Sequence, residues 1–434
     1  MDIVERVKNA GIVGAGGAGF PTHVKLAAKV DVVIANGLEC EPLLYTDQHL
    51  MSTHAEDVVA GIRYVMKATG AERGFIALKK HYHEAVSALK QVVAGDAGIT
   101  LHLSDSYYPA GDERQIIFEI TGKTIPTAGI PLDAGMIVMN VSTLAAVAKA
   151  QEGVPVTERY LTVGGAVKTP VTVNAPIGTP FSDLIEIAGR ATENCSYIEG
   201  GPLMGKILSG TDGSVSKTTS GLIALPVGHP LLKEKDGVMN IQLIKSVCCQ
   251  CTMCSQMCPR NSLGLGTAPH KAMLCFAYEK DVIADKNTVF SCCDCGICSY
   301  YACNFGLKPA LVMNILKTKM NEAGIKPDKK APTRPDAAIY SKRIPNHRMM
   351  ARTGLSKYDT PAILHEALLD VNEVNISLKQ HIGAPSEPVV SQGQKVSKGD
   401  LIADIPKGKL GAKIHASISG TVKILEKDAI LIGK

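Results

Sequence analysis

The chain has 434 residues and a mass of 45.9 kDa, which is enough for about two to four domains and excludes a single small module. Its 46 Lys and Arg residues are nearly balanced by 41 Asp and Glu residues, without a long run of one sign, and this balance argues against nucleic-acid binding. Aromatic residues form only 4% of the chain and Trp is absent, which argues against platforms that stack bases or sugars.

The first 150 residues alternate between helical and strand patterns. A short amphipathic helix is predicted at the N-terminus, and a glycine-rich turn follows at residues 14–19. Further helices are predicted at 24–29, 54–69 and 83–93, and buried strands at 31–35 and 74–78. The alternation predicts an α/β domain with a largely parallel sheet over residues 1–152.

The pattern changes after residue 153. Strand patterns at 159–167 and 171–176 precede a helical pattern at 181–190, which predicts a compact module of strands and one helix over 153–210. A cysteine-rich segment occupies 241–320, and a linker with a helical part follows at 321–374. We expect its portion rich in Lys, Pro and Arg, 326–352, to be extended and solvated. Short apolar pairs separated by Gly, Pro and Lys predict a small β-sandwich over 375–434.

No predicted element crosses a membrane. The apolar stretches at 134–148 and 221–232 are shorter than the roughly 18–20 residues that a span needs, and polar residues, Gly or Pro interrupt them. The N-terminus alternates charged and apolar residues instead of forming the apolar segment of a signal peptide. We therefore expect an intracellular protein.

Thirteen cysteines are present, and eleven of them lie within residues 248–303. In a reducing cytoplasm this clustering favours metal or redox sites over disulfides. One run, Cys248, Cys251, Cys254 and Cys258, has the spacing C-x2-C-x2-C-x3-C. The second run, Cys292, Cys295, Cys298 and Cys303, has the spacing C-x2-C-x2-C-x4-C.

This spacing is typical of ferredoxins with two [4Fe-4S] clusters, where three thiolates of a run hold one cluster and the fourth reaches the neighbouring cluster. The prediction is therefore one cluster on Cys248, Cys251, Cys254 and Cys303, and the other on Cys292, Cys295, Cys298 and Cys258. A pair of zinc sites is the alternative, but zinc modules usually supply their ligands as two pairs or use His. Cys249 and Cys293 break the rhythm, and we expect free thiols there.

The turn at 14–19 reads GAGGAG and matches G-x-G-x-x-G, and Glu39 lies 20 residues after Gly19. A dinucleotide site of the Rossmann type is one interpretation, although a charged helix, not a long apolar strand, precedes the turn. A turn that needs positive φ angles is another. The pattern favours an anion cradle of backbone N–H groups, with Lys25 one turn into the following helix.

Four motifs, GAGGAGFPTHVK (14–25), NGLECEP (36–42), YPAGDE (108–113) and NVSTL (140–144), resemble the FMN-binding motifs of the flavoprotein subunit of respiratory complex I. They are more similar to those of the C subunit of the Rnf electron-transport complex. Together with the C-terminal segments QHIGAPSEPVVSQGQKVSKGDLIADIP and GAKIHASISGTV, the whole chain resembles the cobalamin reductases of propanediol utilisation. In those proteins the β-sandwich follows the clusters, whereas Rnf C subunits have it at the N-terminus.

The resemblance implies an FMN-binding α/β domain, a soluble-ligand-binding β-grasp (SLBB) domain, a ferredoxin-like segment with two [4Fe-4S] clusters and a C-terminal barrel-sandwich hybrid. Phe20 and Glu41 would face the nicotinamide nucleotide. Leu38 stands where the complex I relatives have an acidic residue, and Asn304 where Pro is frequent. The flavin phosphate would be held by Gly14, Gly16, Gly17, Gly19 and Lys25. The isoalloxazine and ribityl groups would be surrounded by Asn36, Glu39, Tyr108, Asp112, Glu113, Asn140 and Thr143.

The order of these parts predicts an NADH-dependent oxidoreductase in which FMN accepts a hydride and two clusters carry single electrons. The flavin carries the chemistry, so no catalytic side chain is predicted. The resemblance implies reduction of cob(III)/cob(II)alamin or of a corrinoid-processing partner such as an adenosyltransferase. It also implies a cytoplasmic location, with a bacterial microcompartment and its shell proteins as further expected surroundings.

Two other functions remain open. One is an electron-carrier subunit of an Rnf-like or microcompartment complex that exchanges electrons with another flavoprotein or a ferredoxin. The other is a zinc-stapled scaffold with a degenerate nucleotide site. NADH-driven bleaching of cluster absorbance separates the first function from the carrier, and zinc without flavin would identify the scaffold.

Overall fold

The computed structural model describes residues 2–192, 194–279, 286–329 and 334–434. The N-terminal part is a sheet covered by helices. Its elements are Ile3–Asn9 (α1), Thr22–Leu26 (α2), Val32–Gly37 (β1), Thr46–Thr53 (α3), Ala55–Thr69 (α4), Arg73–Lys79 (β2), His83–Val92 (α5), Ile99–Ser104 (β3), Tyr107–Tyr108 (β4), Glu113–Thr121 (α6), Met136–Asn140 (β5) and Val141–Gln151 (α7).

The main sheet of this part has the order β3-β2-β1-β5, and its three pairings are all parallel. This confirms the predicted α/β architecture. Residues 32–35 are buried, as expected for a parallel strand with both faces covered. The chain runs from β1 through β2 to β3 on one side, whereas β5 lies on the other side of β1. The carboxyl ends of β1 and β5 therefore flank the point where strand order reverses, which is where α/β sheets bind ligands.

The middle part is a mixed sheet with one helix against it. Residues Phe181, Leu184, Ile185 and Ala188 form the buried face of that helix, at the spacing of an amphipathic helix. The sheet continues beyond the expected border at residue 210, because the strand at 221–226 pairs with strands on both of its sides. The elements are Glu158–Gly165 (β6), Val171–Pro176 (β7), Phe181–Ala188 (α8), Cys195–Glu199 (β8), Lys206–Ile207 (β9), Gly221–Pro226 (β10) and Pro230–Lys235 (α9).

The cysteine-rich part consists of short helices. A π-helical turn, Cys298–Ala302, lies between the last two. Prolines open three of the helices, at the first helical position, where the missing N–H costs no hydrogen bond. The helices are Ile241–Val247 (α10), Met253–Gln256 (α11), Pro259–Ser262 (α12), Pro269–Tyr278 (α13), Asn287–Phe290 (α14) and Pro309–Glu322 (α15).

The next segment was expected to be an extended, solvated linker, but its described residues from 336 on are folded. Residues 330–333 lie outside the described ranges. Its elements are Ile344–Pro345 (β11), Asn346–Thr353 (α16) and Ile363–Leu368 (β12). Strand β11 pairs with β4, and β12 extends the middle sheet beside β7. Ile344 and Met349 are buried, and the Arg343 guanidinium lies 2.7 Å from the Glu119 carboxylate. Buried apolar side chains and an ion pair therefore hold this segment against the rest of the protein, although its composition suggested a linker.

The C-terminal part is the predicted small β-sandwich. Two sheets, β13-β19-β18-β15 and β14-β16-β17, enclose a core of aliphatic side chains. The strands are Glu373–Ser377 (β13), Glu387–Pro388 (β14), Lys395–Val396 (β15), Leu401–Asp404 (β16), Ile414–His415 (β17), Gly420–Leu425 (β18) and Ala429–Gly433 (β19). The sandwich also contacts the glycine-rich turn, since the backbone N–H of Ile382 donates to Gly19 O. Across the described ranges, no helix is both long and apolar enough to cross a membrane.

Candidate functional site

The glycine-rich turn lies at the carboxyl ends of β1 and β5. Its ends are joined by a hydrogen bond from Gly14 N to Phe20 O of 2.9 Å, and Ala15 N donates to Thr143 Oγ1 at 2.9 Å. A Cβ atom at Gly16 would lie 3.1 Å from Asn140 Cβ, so the turn packs closely against the end of β5. A Cβ atom at Gly17 would meet nothing within 4 Å. The backbone there is open to a ligand.

A cavity of about 400 Å³ borders this turn, within the range of ordinary cofactor pockets. Lys25 is half-buried at this cavity; burial lowers the pKa of its amine, and the Glu113 carboxylate opposes that shift. A basic side chain therefore lies beside exposed backbone, which suits an anion. The predicted flavin or nucleotide residues that line the cavity are Gly14, Gly16, Gly17, Gly19, Phe20, Lys25, Asn36, Asp112, Glu113, Asn140 and Thr143.

A second cavity of about 350 Å³ adjoins the first and shares Gly16, Asn36, Asp112 and Asn140 with it. Leu38, Glu39 and Glu41 line it from the α/β part, and Gly200, Gly201, Met204 and Gly205 line it from the loop between β8 and β9. The two cavities form one elongated site between the α/β part and the middle sheet. A long cofactor could occupy both cavities.

Glu39 belongs to a buried charge network that sequence reasoning did not predict. Its carboxylate accepts hydrogen bonds from Thr46 N at 3.1 Å and Asp47 N at 3.3 Å. Burial and the nearby Asp47 raise the pKa of Glu39 to about 8, and Lys79 opposes the shift. Asp47 in turn accepts a 2.8 Å hydrogen bond from Asn140 Nδ2. The network fixes the side of the second cavity next to β1.

Arg159 is another residue that sequence reasoning missed, because it stands alone in a strand pattern. Its guanidinium is buried and donates to Ala15 O at 3.1 Å and to Thr219 O at 3.0 Å. Thus one side chain of the middle sheet holds the glycine-rich turn. No local pattern in the sequence signals this contact, which spans 144 residues.

Two predicted residues, Glu41 and Tyr108, also make contacts between parts of the chain that the sequence did not indicate. The Glu41 carboxylate accepts hydrogen bonds from Leu203 N at 2.8 Å and Met204 N at 2.9 Å, and burial raises the pKa of Glu41 to about 7. It therefore anchors the β8–β9 loop to the α/β part while still lining the second cavity. Tyr108 is fully buried, and its hydroxyl donates to Cys295 O at 2.8 Å. Pairing of β4 with β11 orients this tyrosine toward the cysteine-rich part.

Cys303 lies with the first cysteine run. A small cavity of about 50 Å³ is lined by Cys248, Cys251, Cys254 and Cys303. Burial and then the neighbouring thiols, Cys303 first, raise the pKa of Cys254 to about 11. The contact arises because α11, which carries Cys254, packs against the π-helical turn that precedes Cys303. We call these four residues the outer quartet.

Cys258 lies with the second run. Burial raises the pKa of Cys258 to about 12, and burial followed by the neighbouring thiols of Cys292 and Cys258 raises the pKa of Cys298. Cys258, Cys292, Cys295 and Cys298 are called the inner quartet. The Cys254 thiol also raises the pKa of Cys298, so the two quartets are neighbours. Within the residues that the structure covers, no three His, Cys, Asp or Glu side chains converge on a point suited to a single metal ion.

The inner quartet borders the elongated site. Cys293 lines both cavities and Cys295 lines the second. Beside them, Arg260 Nη2 lies 2.5 Å from Asp112 Oδ2, in an ion pair with about nine-tenths of each side chain buried. This pair joins the cysteine-rich part to the α/β part at the cavity wall. Neither Arg260 nor Cys293 was predicted to lie at this site.

Four family models match successive parts of the chain. They are the Nuo51 FMN-binding domain at residues 7–149, the SLBB domain at 160–206, the 4Fe-4S dicluster domain at 247–308 and the RnfC barrel sandwich hybrid domain at 359–434. These matches confirm the predicted fold classes. They identify FMN and two [4Fe-4S] clusters as the cofactors, and the zinc alternative is not supported.

Similar proteins extend the comparison to the whole chain. Cobalamin reductase PduS of Citrobacter freundii is 39% identical over 436 aligned residues, covering 99% of this chain and 96% of that protein. The C subunit of the Na(+)-translocating ferredoxin:NAD(+) oxidoreductase complex of Acetobacterium woodii is 42% identical over 264 residues, covering 59% of this chain and 57% of that protein. The crystal structure of an NAD+-reducing [NiFe]-hydrogenase in the H2-reduced state has a TM-score of 0.50 and 20% identity, covering 76% of this chain and 63% of that chain. This last likeness concerns the fold alone.

Proposed function

Because this chain belongs to the cobalamin reductase family and is a flavin and iron–sulfur oxidoreductase, we propose that it takes electrons from NADH and delivers them singly to a cobalamin or a corrinoid-processing protein. A corrinoid adenosyltransferase is the protein acceptor that we propose, with microcompartment shell proteins as further partners. The proposal rests on one observation: the thiols Cys293 and Cys295 border the same elongated site as the glycine-rich turn.

The residues around the first cavity suit FMN. When bound, FMN accepts an electron pair as a hydride and releases electrons one at a time, and each [4Fe-4S] cluster carries one electron. The open backbone at Gly17 and the amine of Lys25 would hold the phosphate. The remaining flavin contacts would come from Gly14, Gly16, Gly19, Asn36, Glu39, Asp112, Glu113, Asn140 and Thr143. Phe20 would contact the nicotinamide nucleotide.

Burial and spacing of the thiols suit two clusters. The outer quartet would hold one cluster and the inner quartet the other, and thiolate donors are the usual ligands of such clusters. Tyr108 is proposed to orient the inner quartet through its hydrogen bond to Cys295 O, not to touch the flavin ring. The Glu41 carboxylate is proposed to hold the β8–β9 loop against the nucleotide side of the site.

We propose domains with the expected borders 1–152, 153–210, 241–320 and 375–434. One amendment is needed, since Gly221–Pro226 and Ile363–Leu368 extend the sheet of the second unit. The second unit would then separate the flavin domain from bulk solvent along the elongated site, because its β8–β9 loop lines the second cavity.

Anaerobic reconstitution tests the proposal. We expect FMN near stoichiometric amount, about eight irons and rapid bleaching of cluster absorbance by NADH. Cob(II)alamin added with and without an adenosyltransferase then identifies the acceptor. Flavin and iron without bleaching by NADH would refute NADH oxidation.

The similarity to a protein of a ferredoxin:NAD(+) oxidoreductase complex favours a second candidate function. In that case the chain is an electron carrier that exchanges electrons with a ferredoxin or another flavoprotein. Reduction of the clusters by reduced ferredoxin, with no reduction by NADH, would support this candidate over the first.

A further inference from the structure

The glycine-rich turn is held on both sides by the C-terminal sandwich. Residues 16–18 at the tip of the turn are exposed at the first cavity, whereas Gly11 before the turn and Gly19 at its end are buried. A Cβ atom at Gly11 would lie 2.2 Å from Lys413 O, and one at Gly19 would lie 3.0 Å from Gln380 O. The backbone of the sandwich therefore touches the chain before the turn and at its end.

The loop between β9 and β10 joins these contacts through Lys217. The Lys217 amine donates to Gly11 O at 2.7 Å and to Lys413 O at 2.6 Å. The backbone N–H of Lys217 donates to Gln380 Oε1 at 2.9 Å. One residue of the middle part thus bonds to the chain before the turn and to two loops of the sandwich. We call these three hydrogen bonds the Lys217 clamp.

The setting of Lys217 is unusual for a lysine. Its side chain is only 3% exposed, and burial lowers the pKa of its amine to about 7. Within the described ranges, this amine bonds to main-chain carbonyls and not to a carboxylate. Burial of an amine without an acidic partner costs free energy, which an apolar side chain of similar size would avoid. Packing therefore does not explain a lysine here, whereas the placement of two backbone segments does.

The sandwich also holds a carbonyl of the turn itself. The backbone N–H of Ile382 donates to Gly19 O at 3.3 Å. Because the peptide group is planar and trans, a carbonyl that is held on one side directs the N–H of the next residue to the other side. That next residue is Phe20, which lines the first cavity, and its N–H has no acceptor in the described part of the chain. The sandwich therefore orients an N–H group that is open to a ligand.

We propose that Lys217 is a positioning residue for FMN, which ties the C-terminal sandwich to the glycine-rich turn and keeps the turn in the shape that binds the flavin phosphate. The inference rests on the proposed function, in which the turn holds that phosphate. Lys217 acts through the backbone and not by contact with the cofactor, because neither Lys217 nor the residues whose carbonyls it binds line the first cavity.

The test uses the full-length protein with its iron–sulfur clusters but without FMN, and it measures flavin binding by quenching of flavin fluorescence. FMN and riboflavin are compared, because riboflavin has the same ring system and lacks the phosphate. Lys217→Met keeps a side chain of similar size and removes the donors. We expect the dissociation constant for FMN to rise about tenfold, which corresponds to about one hydrogen bond. The dissociation constant for riboflavin should change by less than about twofold.

The matched control is Lys398→Met. The Lys398 amine also links the sandwich to the middle part, through Glu158 Oε2 at 3.0 Å, but this ion pair does not involve the turn. Its dissociation constant for FMN should stay within about twofold of the parent value. Hydrogen–deuterium exchange over residues 10–22 of the flavin-free proteins should be faster in Lys217→Met than in Lys398→Met. Gln380→Met removes the clamp's acceptor on the sandwich and should also weaken FMN binding, so the proposal can still be refuted if Lys217→Met does not fold.

Two outcomes would overturn the proposal. Equal losses of FMN and riboflavin binding would show a general structural role, and unchanged FMN binding in Lys217→Met and Gln380→Met would show that the turn does not depend on the clamp. None of these measurements uses NADH. If NADH does not reduce the FMN-loaded parent, the proposed function fails, yet the two flavin affinities still test the clamp. If NADH reduces it and the affinities of the variants are unchanged, only the clamp fails.

Discussion

The two quartets have almost the same spacing along the chain but opposite surroundings. In the inner quartet Cys258, Cys295 and Cys298 are buried, whereas in the outer quartet Cys251 is exposed. The inner quartet is covered by the α/β part, through the Tyr108 hydroxyl and through a 3.0 Å hydrogen bond from Gln115 Nε2 to Pro259 O. Spacing brings the thiols together, but packing of neighbouring parts decides which quartet meets water. Water access and hydrogen bonding tune cluster potentials, so the two clusters should differ in potential.

The strongest test of the comparison removes one thiol from each quartet. Cys258→Ala should abolish the cluster of Cys292, Cys295 and Cys298, and Cys303→Ala should abolish the cluster of the first run. Iron content should fall in each case from about eight to about four. Electron paramagnetic resonance of the reduced proteins should then lose different signals. Loss confined to the cluster of the same run would show that the ligands are not exchanged between runs.

The next largest effect concerns the site that the inner quartet borders. Lys25→Glu reverses the charge beside the glycine-rich turn, and a charged hydrogen bond contributes about 1.5–3 kcal/mol before repulsion is added. We expect FMN affinity to fall by roughly 100-fold or more, with iron content unchanged. Flavin fluorescence after gel filtration measures the FMN that stays bound, and an iron assay measures the iron content. Lys123→Glu, an exposed lysine of the same part, is the control. Retained flavin would overturn the assignment of the turn.

Much of this arrangement was accessible from the sequence, for reasons that are local. The spacing of the cysteines predicted the two quartets by analogy with two-cluster ferredoxins, and the structure places Cys303 beside the first run and Cys258 beside the second. Helix α4 and strand β1 were predicted because each carries a clear apolar pattern. The family motifs predicted most of the residues around the first cavity.

The rest depends on contacts that no local pattern records. Strand β12 is mostly exposed, so its sequence has no apolar face to reveal it. Strand β5 continues directly into α7, and the joined apolar stretch does not show where one ends and the other begins. The pair Arg260–Asp112 joins residues 148 positions apart, and only the folded chain shows that it lies on the cavity wall.

The ion pair between Arg260 and Asp112 can be used to test whether the contact with the α/β part buries the inner quartet. Asp112→Asn removes the charge but keeps an oxygen that can cap α6, where Asp112 accepts from Arg114 N and Gln115 N. The variant leaves the Arg260 guanidinium buried without its partner, which costs about 3–5 kcal/mol. We expect a fall in the thermal unfolding temperature of the protein with its cofactors. Asp112→Asn/Arg260→Met should recover part of the loss, and equal stability of all three proteins would show that the pair is not a link between the parts.

The mildest probe compares the two extra cysteines, which occupy equivalent positions in the two runs. Cys249 is exposed beside the outer quartet, whereas Cys293 lies in the wall of both cavities. Because alkylation needs an accessible thiolate, brief anaerobic treatment with iodoacetamide should label Cys249 and spare Cys293. Peptide mass spectrometry measures the ratio, and Cys249→Ser and Cys293→Ser identify each product. Removal of FMN should open the route to Cys293 and raise its labelling severalfold, with little change at Cys249. Equal labelling of both thiols in the loaded protein would contradict the difference in burial on which the comparison of the quartets depends.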